Sequence, residues 1–318
     1  MDCMFFKGFS YFCIQLHQLS IHFMKKDTIK KVTSQESSSI TTKPILEIRS
    51  TTVKQKEDQI IVEEPLEIKI RISTGEKIAS YDLSVTMRTP GDDFNLVKGF
   101  LFTEGIISAD QDIIKINYTD TLSGSQGNSI TAHLSPHTGF SPDSLQRHFY
   151  TSSSCGVCGK TSIEMVKQQS PYLMKVGQPR IEHTVLSHVL HEFSAHQDLF
   201  NLTGGNHAAA VFDSKGTITH AAEDVGRHNA FDKLIGHLLS KQKIPFHAGG
   251  VIVSGRASFE LMQKCWMSGI PLFAAIGAPS SLAVELAEDT GITLVGFLSE
   301  DRMNIYSYAD RIFISDDT

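Results

Sequence analysis

The chain has 318 residues, 41% of them apolar and 20% charged, with a formal net charge of -6. These totals describe a globular protein of about two domains with a sizeable core. They exclude a bulk attraction to nucleic acid or to an anionic membrane, and leave room for a local basic pocket. Its five cysteines, Cys3, Cys13, Cys155, Cys158 and Cys265, are odd in number and contain one close pair. That is not a disulfide framework, and it suits a reducing cytoplasm.

Residues 1–23 are rich in aromatics and histidine, but their apolar run is too short and too interrupted to span a bilayer. Phe9–Leu16 also makes a weak signal-peptide core, with no small-residue cleavage site after it. Met24-Lys25-Lys26-Asp27 reads well as a start, so the segment before it is expected to be an over-extended reading frame. Residues 25–44 are Lys/Ser/Thr-rich and end at Pro44, which reads as a linker or disordered arm.

Leu66–Ile72 alternates apolar and charged residues, the period of a half-buried strand, and Ser84–Arg88 is a second β-type run. Thr89-Pro90-Gly91-Asp92 is a turn. A helix is expected over Asp93–Thr103, with Phe94, Val97, Phe100 and Leu101 at three- and four-residue spacing and Gly105 at its stop. The polar, Gly/Ser/Pro-rich stretch 119–145 reads as loop. A short helix is possible from Thr161 through Val166.

Beyond residue 200, strands are expected at Ala208–Phe212, Val251–Val253, Pro271–Ile276 and Ile292–Phe297. They alternate with helices at Asp224–Leu239, Ala257–Met267 and from Pro279 to Asp289. Such alternation predicts an α/β layer with parallel neighbours, whose ligands bind at the carboxyl ends of the strands. The loops that meet this rule are Ser254-Gly255-Arg256, Gly277–Ser281 and the segment after Phe297. Cys265, inside an apolar run, reads as a buried core thiol.

Three chemistries fit Ser153-Ser154-Cys155-Gly156-Val157-Cys158-Gly159-Lys160. A structural zinc site needs about four Cys/His ligands, and only one CxxC exists. A deaminase-type zinc site needs H-x-E with P-C-x-x-C; no histidine has Glu two positions on, and Ser154 precedes Cys155. No zinc or other metal site is therefore expected. A thioredoxin-like dithiol sits where a buried strand meets a helix, whereas the segment upstream here is loop. A sulfur carrier needs an exposed, readily ionised thiol; the flanking glycines give access and Lys160 favours thiolate. A lone CxxC is equally compatible with a plain surface turn.

Further along, Glu223–Lys233 crowds ionisable and amide side chains into the first turns of a helix. Asp224, Arg227, His228 and Phe231 share a face by spacing. A helix N-terminus with Arg and His beside it attracts phosphate, although a solvated, salt-bridged face has similar composition. Thr203-Gly204-Gly205-Asn206-His207 allows backbone approach to a ligand. Ser254-Gly255-Arg256-Ala257-Ser258 can cradle a phosphate without being a Walker loop. Together these predict an anionic, nucleotide-like pocket.

Nine collinear motifs then resemble the FdhD/NarQ family of formate dehydrogenase accessory sulfurtransferases. They are EEPLEI (63–68), TMRTPGDD (86–93), GFLFTEGII (99–107), SSCGVCGK (153–160), TGGNHAAAVFD (203–213), EDVGRHNAFDKLIG (223–236), SGRASFELMQK (254–264), APSSLAVELA (278–287) and TLVGF (293–297). The resemblance implies an α/β fold, α+β in its N-terminal part: a cytidine-deaminase-like three-layer domain with a smaller β-rich subdomain. The corresponding organisation is a disordered or over-extended segment over 1–44, the β-rich subdomain over 45–150, a CxxC loop over 151–170 and the deaminase-like domain over 171–318.

The resemblance also implies a sulfurtransferase that receives persulfide sulfur from a cysteine desulfurase. It passes that sulfur to the molybdenum (or tungsten) bis-guanine-dinucleotide cofactor, bound as substrate, for formate dehydrogenase. By motif match Cys155 and Cys158 are the carriers. The cofactor pocket draws on His207, Asp224, Arg227, His228, Ser254, Gly255, Arg256, Phe297, Leu298, Ser299, Glu300, Asp301 and Arg302. Ser299 stands where relatives usually carry Arg, and Gly277 where many carry Ser. A cytoplasmic homodimer is expected, with no nucleic acid or membrane as partner. Two competing roles are a non-catalytic chaperone that protects and delivers the cofactor, and a dithiol redox protein that needs no guanine nucleotide.

Overall fold

A computed structural model describes residues 39–74, 77–119, 127–138, 140, 170–175 and 177–315. Cys3, Cys13, Cys155, Cys158, the residues before Ser39 and the helix expected from Thr161 lie outside them. The first two strands, β1 (Ile40–Arg49) and β2 (Thr52–Ile61), form an antiparallel hairpin. The linker expected to reach Pro44 is thus a strand from Ile40 onward, since Ile40, Ile45, Leu46 and Ile48 meet partners on β2 that composition alone does not reveal.

A four-stranded sheet follows, in the order β4-β3-β6-β5, from β3 (Glu64–Thr74), β4 (Lys77–Arg88), β5 (Ile113–Tyr118) and β6 (Ser129–Leu134). The alternation read in Leu66–Ile72 is realised: Leu66, Ile68, Ile70 and Ile72 are buried while Arg71 faces solvent. β6 overturns the loop expected over 119–145. Its Ile130, Ala132 and Leu134 are buried beside β3, a run too short and too polar-flanked to stand out in sequence. Helix α1 (Asp93–Thr103) matches the expected span and buries Leu96, Val97, Leu101 and Phe102.

The larger sheet has six strands in the order β13-β12-β11-β10-β8-β9. These are β8 (His207–Asp213), β9 (Ile218–Asp224), β10 (Gly249–Val253), β11 (Leu272–Ala275), β12 (Thr293–Gly296) and β13 (Asn304–Ser307). The strands β10, β11 and β12 run parallel; β8, β9 and β13 are antiparallel additions, so the sheet is mixed. A two-residue parallel pair, β7 (Ile181–Glu182) with β14 (Ile312–Phe313), lies apart.

Helices cover both faces of this sheet, giving three layers. On one face α2 (His183–Ala195) packs Leu186, Val189 and Phe193 against Ala208, Ala210, Phe212, Ile252 and Ala274. A short helix, α3 (Asp198–Thr203), follows it. On the other face α4 (Arg227–Ser240), α5 (Phe259–Met267) and α6 (Ser281–Thr290) share one core with Val211, Val251, Val253, Phe273 and Leu294. That core continues through α1 into the four-stranded sheet. Cys265 is fully buried there as expected, its thiol pushed up by desolvation.

α1 crosses α4 at van der Waals contact through two glycines. A Cβ on Gly99 would collide with the Asp232 carbonyl, and one on Gly236 with the Asn95 carbonyl. No helix among the described residues is long and apolar enough to cross a membrane.

Candidate functional site

The carboxyl ends of β10, β11 and β12 deliver three loops that continue the sheet's hydrogen bonding beyond the strands. Gly277 donates its N–H to Gly255 O at 3.0 Å, and Phe297 donates to Gly277 O at 3.1 Å. The fit is tight: a Cβ on Gly277 would stand 2.9 Å from Gly255 O and 3.0 Å from Arg256 Cα. The close approach leaves no room for a side chain larger than hydrogen at Gly277. Side chains at the loop shoulders then cap the next helices. Ser258 accepts from Leu261 N at the start of α5, and Ser280 from Ala283 N at the start of α6.

α4 is built differently. Its N-cap is Gly226, which has no side chain to offer the orphan N–H groups of the first turn. Arg227 and His228 are its first two residues. Arg227 Nε is shielded from solvent and has no hydrogen-bond partner. His207 and Gly255 lie beside it, a grouping we term the crevice: a Cβ on Gly255 would lie 3.5 Å from Arg227 Cδ and 3.6 Å from His207 Nδ1. His207 Nδ1 is 3.3 Å from Ser254 Oγ, and that hydroxyl accepts Ala208 N–H at 3.0 Å. Desolvation, and then the charges of Arg227 and His228, lower the pKa of His207, favouring its neutral form. An uncapped helix end with an unpartnered guanidinium nitrogen and a glycine packed beside it is chemically suited to an anion.

Of the residues expected at the site, the structure brings together His207, Arg227, His228, Ser254 and Gly255, with Arg256 packed on Gly277. Asp224 is elsewhere in role. It is the last residue of β9, not part of the helix, and it has no exposed surface. Its Oδ1 accepts Gly226 N–H at 2.9 Å and Asn229 Nδ2 at 3.2 Å; its Oδ2 accepts Thr89 N–H at 3.1 Å and faces Lys233 Nζ at 2.7 Å. With both oxygens occupied, Asp224 anchors the start of α4.

The segment 297–302 divides in the same way. Phe297 holds a left-handed backbone (φ 52°), is partly exposed, and lies under the Arg302 guanidinium, 5.0 Å from Cζ to ring centroid. Leu298 is core. Ser299 N–H and Oγ both bond Arg302 O, the Glu300 carbonyl accepts from Ser187 on α2, and Asp301 faces solvent.

Sequence reasoning missed the clamp behind the crevice. Thr86 donates to Asn229 Oδ1 (3.0 Å), Asn229 Nδ2 donates to Met87 O (2.7 Å), Val225 N donates to Thr89 Oγ1 (3.1 Å) and Lys233 Nζ donates to Thr89 O (2.9 Å). Thr89 and Asp224 are 135 positions apart, so no local signal joins them. Glu260 was also missed: its Oε2 lies 3.2 Å from His228 Nε2. No cluster of three or more His, Cys, Asp or Glu able to hold a metal occurs among the described residues.

Comparison with known proteins agrees with the motifs. A Mycolicibacterium paratuberculosis protein named sulfur carrier protein FdhD is 47% identical over 258 residues, covering 80% of this chain and 92% of its own length. A Streptomyces coelicolor protein of the same name is 43% identical over 272 residues, covering 84% and 94%. The fold matches a crystal structure from Desulfotalea psychrophila, provisionally described as a formate dehydrogenase accessory protein. That match has a TM-score of 0.64 at 21% identity, covering 87% of this chain and all of that one. A family model matches residues 61–313, and the chain belongs to the FdhD/NarQ family.

Proposed function

We propose that this protein is a sulfur carrier serving formate dehydrogenase. It moves persulfide sulfur from a cysteine desulfurase to a molybdenum or tungsten bis-guanine-dinucleotide cofactor, acting as a cytoplasmic homodimer. The supporting observation is the crevice itself, in a chain whose relatives are named sulfur carriers. His207, Arg227, Ser254 and Gly255 converge on an uncapped helix end suited to the phosphates of a dinucleotide.

In this reading the Cys155 thiolate attacks the outer sulfur of the donor's persulfide. A new S–S bond forms as the old one breaks, and the donor leaves as its thiolate, so atoms and electrons balance. Cys158 is the second carrier. The crevice binds the cofactor as substrate: Arg227 and the first-turn N–H groups of α4 hold phosphate, His207 accepts or donates at a neutral ring, and Phe297 offers a partly exposed aromatic face.

Single substitutions Cys155→Ser and Cys158→Ser test this. Formate dehydrogenase activity in cells and persulfide on the purified carrier should both fall sharply for Cys155→Ser. Undiminished maturation by both variants contradicts sulfur carriage and leaves a cofactor-binding chaperone.

A further inference from the structure

His228 is held from one side by a residue that the motifs leave without a role. Glu260 sits in the first turn of α5, after the Ser258 cap, and its Oε2 is 3.2 Å from His228 Nε2. Ser258 Oγ lies 3.5 Å from the same nitrogen. Both side chains are partly open, His228 at 35% and Glu260 at 48% of their surface, so the pair lies at the mouth of the crevice. The groups facing His228 are Arg227 on its own helix, His207 on β8, and Glu260 and Ser258 at the start of α5. Two of these bring positive charge or a second imidazole. Only Glu260 brings negative charge.

We propose that Glu260 is a positioning residue of the anion crevice: its carboxylate meets His228 Nε2 at 3.2 Å and so fixes the imidazole beside Arg227 for ligand phosphate. This rests on reading the crevice as a phosphate site. A carboxylate at hydrogen-bond distance fixes the plane of the ring it meets. The carboxylate is itself well placed to stay ionised: the hydrogen bond from His228 leads the influences that bring it down to about 2, against the burial that raises it. An acidic residue in a helix's first turn also complements the helix dipole. A dipole role alone would affect stability and leave ligand affinity untouched, which separates the two explanations.

Glu260→Ala removes the acceptor that holds His228, whereas Glu260→Gln keeps the shape and an acceptor oxygen. The test is calorimetric titration of the full-length wild type, Glu260→Ala, Glu260→Gln, His228→Asn and the double variant Glu260→Ala/His228→Asn with GDP. Glu260→Ala should bind GDP about tenfold more weakly than wild type, and Glu260→Gln should restore binding to within about twofold of it. The double variant should be no weaker than His228→Asn alone, because Glu260 acts through His228.

A Glu260→Ala variant that binds GDP as tightly as wild type, or a Glu260→Gln variant that binds as weakly as Glu260→Ala, overturns the positioning role and leaves the crevice reading standing. A double variant that loses the sum of both single effects overturns it as well. A wild type that fails to bind GDP overturns the crevice reading, and this inference with it.

Discussion

The crevice and the clamp behind it use the same residue types in opposite ways. In and around the clamp, three ion pairs are buried and matched. Asp224 meets Lys233, Asp232 meets Lys264 at 2.9 Å, and Arg88 meets Asp93 through two 3.0 Å bonds. At the crevice, charges are half-exposed and one nitrogen, Arg227 Nε, lacks a partner. The two regions are consecutive in sequence: Asp224 closes β9 and Arg227 opens α4, three residues later. A saturated buried carboxylate fixes the backbone at the start of the helix that carries the unpartnered Arg227 guanidinium nitrogen. Burying a matched pair is not itself a large gain in stability, since desolvation offsets attraction; its value here is position.

The largest way to break this contrast is Asp224→Ala. It leaves Lys233, only 2% exposed, as an uncompensated buried charge. Stability should drop by about 3–5 kcal/mol, read from urea or guanidinium unfolding. Gly236→Ala comes next. It drives a methyl into the Asn95 carbonyl at the α1–α4 crossing and should cost about 1–3 kcal/mol by the same measurement.

A third effect is acid loss of stability. His220 on β9 stacks on His237 of α4 with ring centroids 3.4 Å apart. Burial, then the charges of His237 and Lys243, push its pKa down to about 4. The unfolded imidazole protonates near pH 6.5 and the folded one near 4, so the unfolded state takes up the proton first as pH falls. The contribution is complete above pH 6.5 and disappears as pH drops toward 4. It is of the order of 1 kcal/mol once solvent screening of a half-exposed ring is allowed for. Unfolding midpoints across this range should fall for wild type and flatten for His220→Gln. The smallest stability effect belongs to Arg227→Ala, within about 0.5 kcal/mol of wild type. The same substitution should abolish GDP binding measured by calorimetry, which is the contrast in a single residue.

What could be read in the sequence follows from where each signal lies. Helix α1 and the strands β3, β8, β10, β11 and β12 were legible because apolar periodicity and Gly, Ser or Pro boundaries are local. β6 was not, since a six-residue strand flanked by Gly127, Asn128, Ser135 and Pro136 carries its evidence in its neighbour β3. The antiparallel β9 was hidden too. Its Asp224 reads as a helical residue by its spacing from Arg227 and His228, and only pairing with His207 shows it to be strand. Residues facing the crevice were found from their chemical type and from family motifs. Those that hold them, Thr86, Thr89 and Asn229, bridge about 140 positions through single hydrogen bonds. Nothing along one chain announces such a partner. Glu260 was overlooked because one acid in the first turn of an amphipathic helix reads as an ordinary dipole partner.

Sulfur carriage is tested most directly by mass spectrometry of the purified full-length protein after incubation with a cysteine desulfurase and cysteine. The account predicts a gain of one sulfur atom, about 32 Da, on the peptide holding Cys155, removed by a thiol reductant and absent from Cys155→Ser. A Cys155 peptide that stays unmodified while the desulfurase turns over contradicts it.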